Sequence, residues 1–124
     1  MSETDFDHRQ KFAEIDSKTI SALRKTWPVI QPALDELLAG FYAHIKAEPH
    51  MANMVGDQQP RLVGAQKSHW EKLFLSGFDK DYQESINRIG HIHCRIGLEP
   101  RWYIAGYKFV LTRLHKHLVK KYRT

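Results

Sequence analysis

The sequence predicts an all-α fold, one domain of packed helices spanning residues 1–124. Apolar residues recur every three or four positions through each long stretch, the period of a helix with one buried face. No stretch alternates apolar and polar residues as a half-buried strand does, and glycines and prolines fall where the helical period breaks. Composition agrees: 42% of residues are hydrophobic, with three tryptophans, five tyrosines and six phenylalanines, enough for a modest core in a 14.5 kDa chain.

Residues 1–16 read as a polar extension with a short amphipathic piece holding Phe6, Phe12 and Ile15. Ser17 is suited to cap a helix running through Ile20, Leu23 and Trp27, and Pro28 and Pro32 are expected to break the chain before a second helix. That second helix carries a stripe of Leu34, Leu38, Phe41 and Ile45, flanked by Leu37 and Tyr42, and ends at Glu48, Pro49 and His50. Met51 to Gln59 shows no sustained period and reads as a loop with one short helical turn. A third long helix runs from about Pro60 to Ser76, stopped by Gly77. Leu62, Gln66, His69 and Leu73 share one face of it, and Val63, Trp70 and Phe74 a neighbouring one. Asp79 or Asp81 would cap the next helix, and the last runs from about Arg101 to Tyr122 with Tyr103, Tyr107, Val110 or Leu111, Leu114 and Leu118 at core spacing.

The helix between Asp79 and Gly97 carries the residue of greatest chemical interest. Tyr82, Ile86, Ile89, His93 and Ile96 fall at i, i+4, i+7, i+11 and i+14, on one face. His91 points to the opposite side and Cys94 lies off the stripe, so His93 is the inward histidine. Gly97 suits a left-handed C-cap, and Pro100 the first turn of the following helix, which brings Trp102, Tyr103 and Tyr107 beside it. A histidine on an apolar stripe is ordinarily a core residue bonded to a carbonyl or a tyrosine. A neutral imidazole aimed into an apolar slot is equally an axial iron ligand. The pattern alone leaves both open.

Several function classes are excluded by what is missing. With one cysteine there is no internal disulfide, and without a CxxCH run no covalently attached haem. His91, His93 and Cys94 diverge around a helix axis and no finger-spaced pair follows, which disfavours zinc. Nothing resembles a phosphate loop, a nucleophile elbow or a catalytic acid pair. The opening residues are polar, and no segment approaches the ~18 apolar residues of a membrane span, so a soluble cytoplasmic protein is expected. The net charge of +5 gathers near the end, at Arg113, His115, Lys116, His117, Lys120, Lys121 and Arg123. It would suit nucleic acid or an acidic partner, but cations in a last helix also complement its dipole, and a solvated helix is the reading adopted.

The run IGHIHCRIGLEPRWYIAGY, Ile89 to Tyr107, resembles the IGxxHxRIGLxPxWY signature of the globin-coupled sensor family, and HWEKLFLSGFD, His69 to Asp79, is similar to the end of that family's distal helix. The match is strong over about half the chain and weaker over the first half. It implies a globin-like bundle around haem b (iron protoporphyrin IX) and places the iron ligand on His93, the residue the stripe selects independently. It further implies Tyr103 as hydrogen-bond partner of the His93 ring, Tyr42 as distal donor to a bound gas, Phe41 against the porphyrin, Leu62 and Ala65 closing the distal side, and Ile96 and Tyr107 in contact with the cofactor. His69, two turns beyond Leu62, is a rival sixth ligand but reads as a core or haem-edge residue.

The function so implied is a gas sensor that is not itself an enzyme. It would bind oxygen, and also nitric oxide and carbon monoxide, at ferrous haem and signal to an output domain as a homodimer paired through the last helices. The N-terminal piece corresponds to the family's extra helix. The sequence departs from the family by ending at Thr124, with no counterpart of the last globin helix or of an output domain. Two rivals stand beside this reading: a haem redox enzyme such as a nitric-oxide dioxygenase, and a haem-free helical module acting through its basic last helix.

Overall fold

The computed structural model of the protein describes residues 5–123, and among them it is built of helices and turns without strands. In chain order the helices are α1 (Asp5–Phe12), α2 (Ser17–Ile30), α3 (Leu34–Lys46), α4 (Pro49–Val55), α5 (Gln59–Leu75), α6 (Lys80–Arg95) and α7 (Pro100–Tyr122), with a 3₁₀ turn, Gln31–Ala33, between α2 and α3.

Local chemistry sets most boundaries where the sequence places them. Asp79 accepts from the backbone N–H of Tyr82 at 2.9 Å and starts α6. At its end Gly97 takes φ +76°, its N–H donates to the Cys94 carbonyl at 3.1 Å, and the Leu98 N–H donates to the His93 carbonyl at 2.9 Å. This pair of bonds satisfies carbonyls of the last turn and favours a residue without a Cβ at the left-handed position. Pro100 opens α7 from its first turn.

Three expectations are corrected. The cap of α2 is Asp16, which accepts from the Thr19 N–H at 3.0 Å, and Ser17 is the first helical residue. Both residue types cap well, but here the carboxylate takes the bond. Pro28 does not break the chain: it lies inside α2, which continues to Ile30. Met51 to Gln59 is largely helix, because Pro49 occupies the first turn of α4 behind a Glu48 cap instead of ending structure there.

The core lies between α2, α3, α5 and α7. Trp27, Ile30, Leu34, Phe41, Tyr42, Val55, Trp70, Phe74, Val110 and Leu114 form one buried cluster, with Leu38 also fully buried. Arg24 of α2 donates to the Leu75 carbonyl at 3.1 Å, closing the end of α5, and a His117 ring nitrogen lies 3.0 Å from the Val29 carbonyl, tying α7 to α2. Helix α6 stands apart from this core, with Ser85 as its one buried residue. Its apolar stripe is half-buried and its last member, Ile96, is exposed. Likewise Val110 and Leu114 of α7 are buried while Tyr107 and Leu111 are exposed, so the core-facing edge of α7 is narrower than its apolar spacing suggests. In α1, Phe6 meets Tyr82 edge-on with ring centres 6.3 Å apart, whereas Phe12 is 93% exposed.

Candidate functional site

His93 occupies the last turn of α6, its carbonyl fixed by Leu98 and its ring half-buried. Burial holds its pKa below the ordinary histidine value, so the neutral imidazole with a free lone pair is the favoured form. The ring stacks on Tyr103 of α7, 5.7 Å between centres and 16° from parallel. Among the described residues the Tyr103 hydroxyl makes no hydrogen bond to this ring, and the offset stack is the contact between the two side chains. His91 and Cys94 are exposed, and among the described residues no three His, Cys, Asp or Glu side chains gather as a metal site.

Tyr42 of α3 is 4% exposed. Its hydroxyl oxygen accepts from Gln66 Nε2 at 3.2 Å, and Gln66 Oε1 accepts from Trp70 Nε1 at 3.1 Å. Burial pushes the Tyr42 pKa up, and the Gln66 bond partly offsets this. Phe41, beside it, is buried edge-on to Tyr42 with ring centres 5.1 Å apart and tilted against Phe109 at 5.9 Å. It lies against α7 at Gly106, where an added Cβ would stand 3.4 Å from the ring.

On α5, Leu62 is half-buried and packs against the core, while Ala65 is exposed. Both lie on the flank that carries His69. His69 is stacked on Tyr82 of α6 with centres 6.0 Å apart and meets Trp70 edge-on at 5.7 Å. Its Nδ1 is buried without a partner, and burial followed by the charge of Lys72 lowers its pKa. Ile96 and Tyr107 remain 50% and 47% exposed, and Tyr107 also meets Trp70 edge-on, 6.4 Å between centres.

The structure thus brings His93 to Tyr103 and Phe41 to Tyr42, and leaves Ile96, Ala65 and Tyr107 open. Sequence reading passed over Gln66 and Trp70 as a pair. The signal was present, since an indole N–H four residues after an amide on one helix invites that bond. The donor set suits a haem: a neutral imidazole, aromatic and branched apolar side chains with open faces, and a buried hydroxyl on another helix.

Comparison with known proteins points the same way. The Protoglobin family model matches residues 2–124. The chain is also similar to the Heme-based aerotactic transducer HemAT of Halobacterium salinarum, at 26% identity over 117 residues, which is 92% of this chain and 24% of the transducer. The chain therefore spans about a quarter of that relative's length. With an all-helical fold and a family match across nearly its whole length, the chain belongs to the protoglobin family, as a globin domain of the globin-coupled sensor kind.

Proposed function

We propose that this domain binds haem b through His93 and senses oxygen by reversible diatomic ligand binding, the state of the site being passed to a signalling output elsewhere in the assembly. The observation that carries the reading is His93 itself. Its half-buried ring lies on the inward stripe of α6, burial favours the neutral imidazole that an iron can take as ligand, and its one ring contact among the described residues is the stack on Tyr103. When bound, haem supplies a ferrous centre able to take up oxygen, nitric oxide or carbon monoxide reversibly.

The chain's residues set the terms of that binding. His93 presents a nitrogen whose orientation is limited by the Tyr103 stack and by the backbone bonds around Gly97. Phe41, Ile96 and Tyr107 offer apolar contact to a flat macrocycle, and Leu62 and Ala65 restrict access from α5. The Tyr42 hydroxyl, on the well-packed α3, favours a ligand that gathers negative charge, which oxygen does more than carbon monoxide. Loss of the ligand frees that hydroxyl, and the difference in contacts between the two states is what a signal needs. The similarity to an aerotactic transducer supports a sensing role, and the exposed Ile104 and Leu111 of α7 support pairing of two copies along that helix.

The test is the visible spectrum of the purified chain with haem, ferric and ferrous, beside His93→Ala and Tyr42→Phe. The expected outcome is a Soret band that His93→Ala abolishes or displaces, with faster oxygen loss in Tyr42→Phe. Failure to take up haem on reconstitution would return His93 to the role of a core histidine. Repeated nitrate formation from nitric oxide under a reductant would move the reading to a redox enzyme.

A further inference from the structure

We propose that Gln66 and Trp70 form a positioning relay that fixes the Tyr42 oxygen as an acceptor, so that its one hydroxyl hydrogen stays available to a gas ligand; this rests on the haem reading above. The relay runs over two bonds, Trp70 Nε1 to Gln66 Oε1 at 3.1 Å and Gln66 Nε2 to the Tyr42 hydroxyl oxygen at 3.2 Å.

Its direction follows from valence. An indole N–H only donates, so the Gln66 atom facing it must be the carbonyl oxygen, and a reversed amide would set donor against donor. With that arm committed, the other arm is the NH₂ group, which also only donates. Tyr42 must then accept. A phenol that accepts through its oxygen still holds one hydrogen to give, and among the described residues no group accepts it: the one hydrogen bond of the Tyr42 hydroxyl is the one it takes from Gln66. The hydroxyl is poised as a donor without an internal acceptor. Trp70 holds the amide and is itself held by the edge contacts of His69 and Tyr107, at 5.7 and 6.4 Å. Through Tyr107 the relay reaches α7, and through the His69 stack on Tyr82 it reaches α6, the helix that carries His93.

Substitution at position 66 can reverse the direction without changing shape. In Gln66→Glu at about pH 8 both carboxylate oxygens accept, so Trp70 still donates to one while Tyr42 must donate to the other. The tyrosine remains in place but its hydrogen is taken.

Two readouts test this on the full chain. Without haem, tyrosine labelled with ¹³C at Cζ, assigned through Tyr42→Phe, reports whether the phenol donates or accepts. Gln66→Glu is expected to move the Tyr42 signal while the other tyrosines hold still, and an unmoved signal overturns the relay whatever the haem result. With haem, Gln66→Glu is expected to speed oxygen loss about tenfold or more, approaching Tyr42→Phe. It is also expected to shift the carbon monoxide stretching frequency to that of Tyr42→Phe, with no further change in the double variant. Oxygen loss and stretching frequency both at wild-type values in Gln66→Glu, while Tyr42→Phe alters them, overturn the relay and leave the haem reading intact. Absence of haem uptake refutes the haem reading and leaves the ¹³C result to judge the hydrogen-bond direction. Should Gln66→Glu fail to fold, Trp70→Phe carries the test: it frees the amide to turn, and oxygen loss unchanged from wild type would overturn the proposal.

Discussion

Replacing His69 with phenylalanine should stabilise the protein, and the gain should grow in acid. The Nδ1 of His69 is buried with no partner, while the ring is stacked on Tyr82 and edge-on to Trp70. Phenylalanine keeps a ring of similar shape in both contacts and removes the unpaired nitrogen. An unsatisfied buried polar atom costs about 1–3 kcal/mol. His69 is only half-buried as a whole, which puts the gain near the lower end, about 1 kcal/mol, or a midpoint rise of about 3–5 °C in a chain of 124 residues. The pH dependence has a definite sign. Burial and Lys72 lower the folded-state pKa below the ordinary 6.5, so above 6.5 both folded and unfolded chains are neutral at this ring and it adds no slope. As pH falls below 6.5 the unfolded chain takes up a proton first, and stability drops until the folded-state pKa is passed. His93 titrates in the same sense, so His69→Phe should reduce the acid loss without abolishing it. Urea titrations of the chain without added haem, at about pH 7.5 and pH 5, decide the matter. Equal acid losses in the two proteins, or a variant less stable at both values, would refute the assignment.

Substitutions at two further positions probe the elements that place the site. At Gly106 a Cβ would meet the Phe41 ring at 3.4 and 3.5 Å, so alanine should be near neutral, its helix propensity offset by a small shift of the ring, whereas valine should lose about 1–3 kcal/mol. A valine variant with the wild-type urea midpoint would mean that Phe41 does not lie on α7. Gly97→Ala forces a Cβ into φ +76° and should lower stability by about 1–2 kcal/mol. Because the neighbouring bond fixes the His93 carbonyl, the same variant should also bind haem more weakly, and unchanged values in both assays would argue against the left-handed turn.

How far the site was legible in sequence depended on whether its determinants are local. The ends of α6 and the start of α7 follow from Asp79, Gly97 and Pro100, each acting within four residues, and were legible. The inward choice of His93 over His91 follows from helix geometry alone. Proline was the weaker guide, because Pro28 and Pro49 read alike as breaks while one sits within α2 and the other starts α4. Exposure along α7 was not legible, since spacing marks an apolar face without saying which helix covers it. The Tyr42 bond to Gln66 joins two helices across 24 residues of sequence, beyond the reach of any local pattern, whereas the meeting of Tyr103 with His93 was legible and only the stacked orientation of the two rings was not.

The unequal packing around Tyr42 and His93 bears on how the proposed sensor would work. Tyr42 belongs to the part of the molecule where α2, α3, α5 and α7 share a buried cluster, and its bonding partner sits on the same framework. His93 belongs to α6, which buries one serine and holds its neighbours through the stacks of Tyr82 on His69 and of His93 on Tyr103. Helices with few buried apolar contacts move at lower free-energy cost than those in a core. A ligand between a fixed hydroxyl and a less constrained imidazole would then bias α6 more than α3. The motion would reach α7 through Tyr103, near the exposed Ile104 and Leu111, where a second copy or an output segment could detect it.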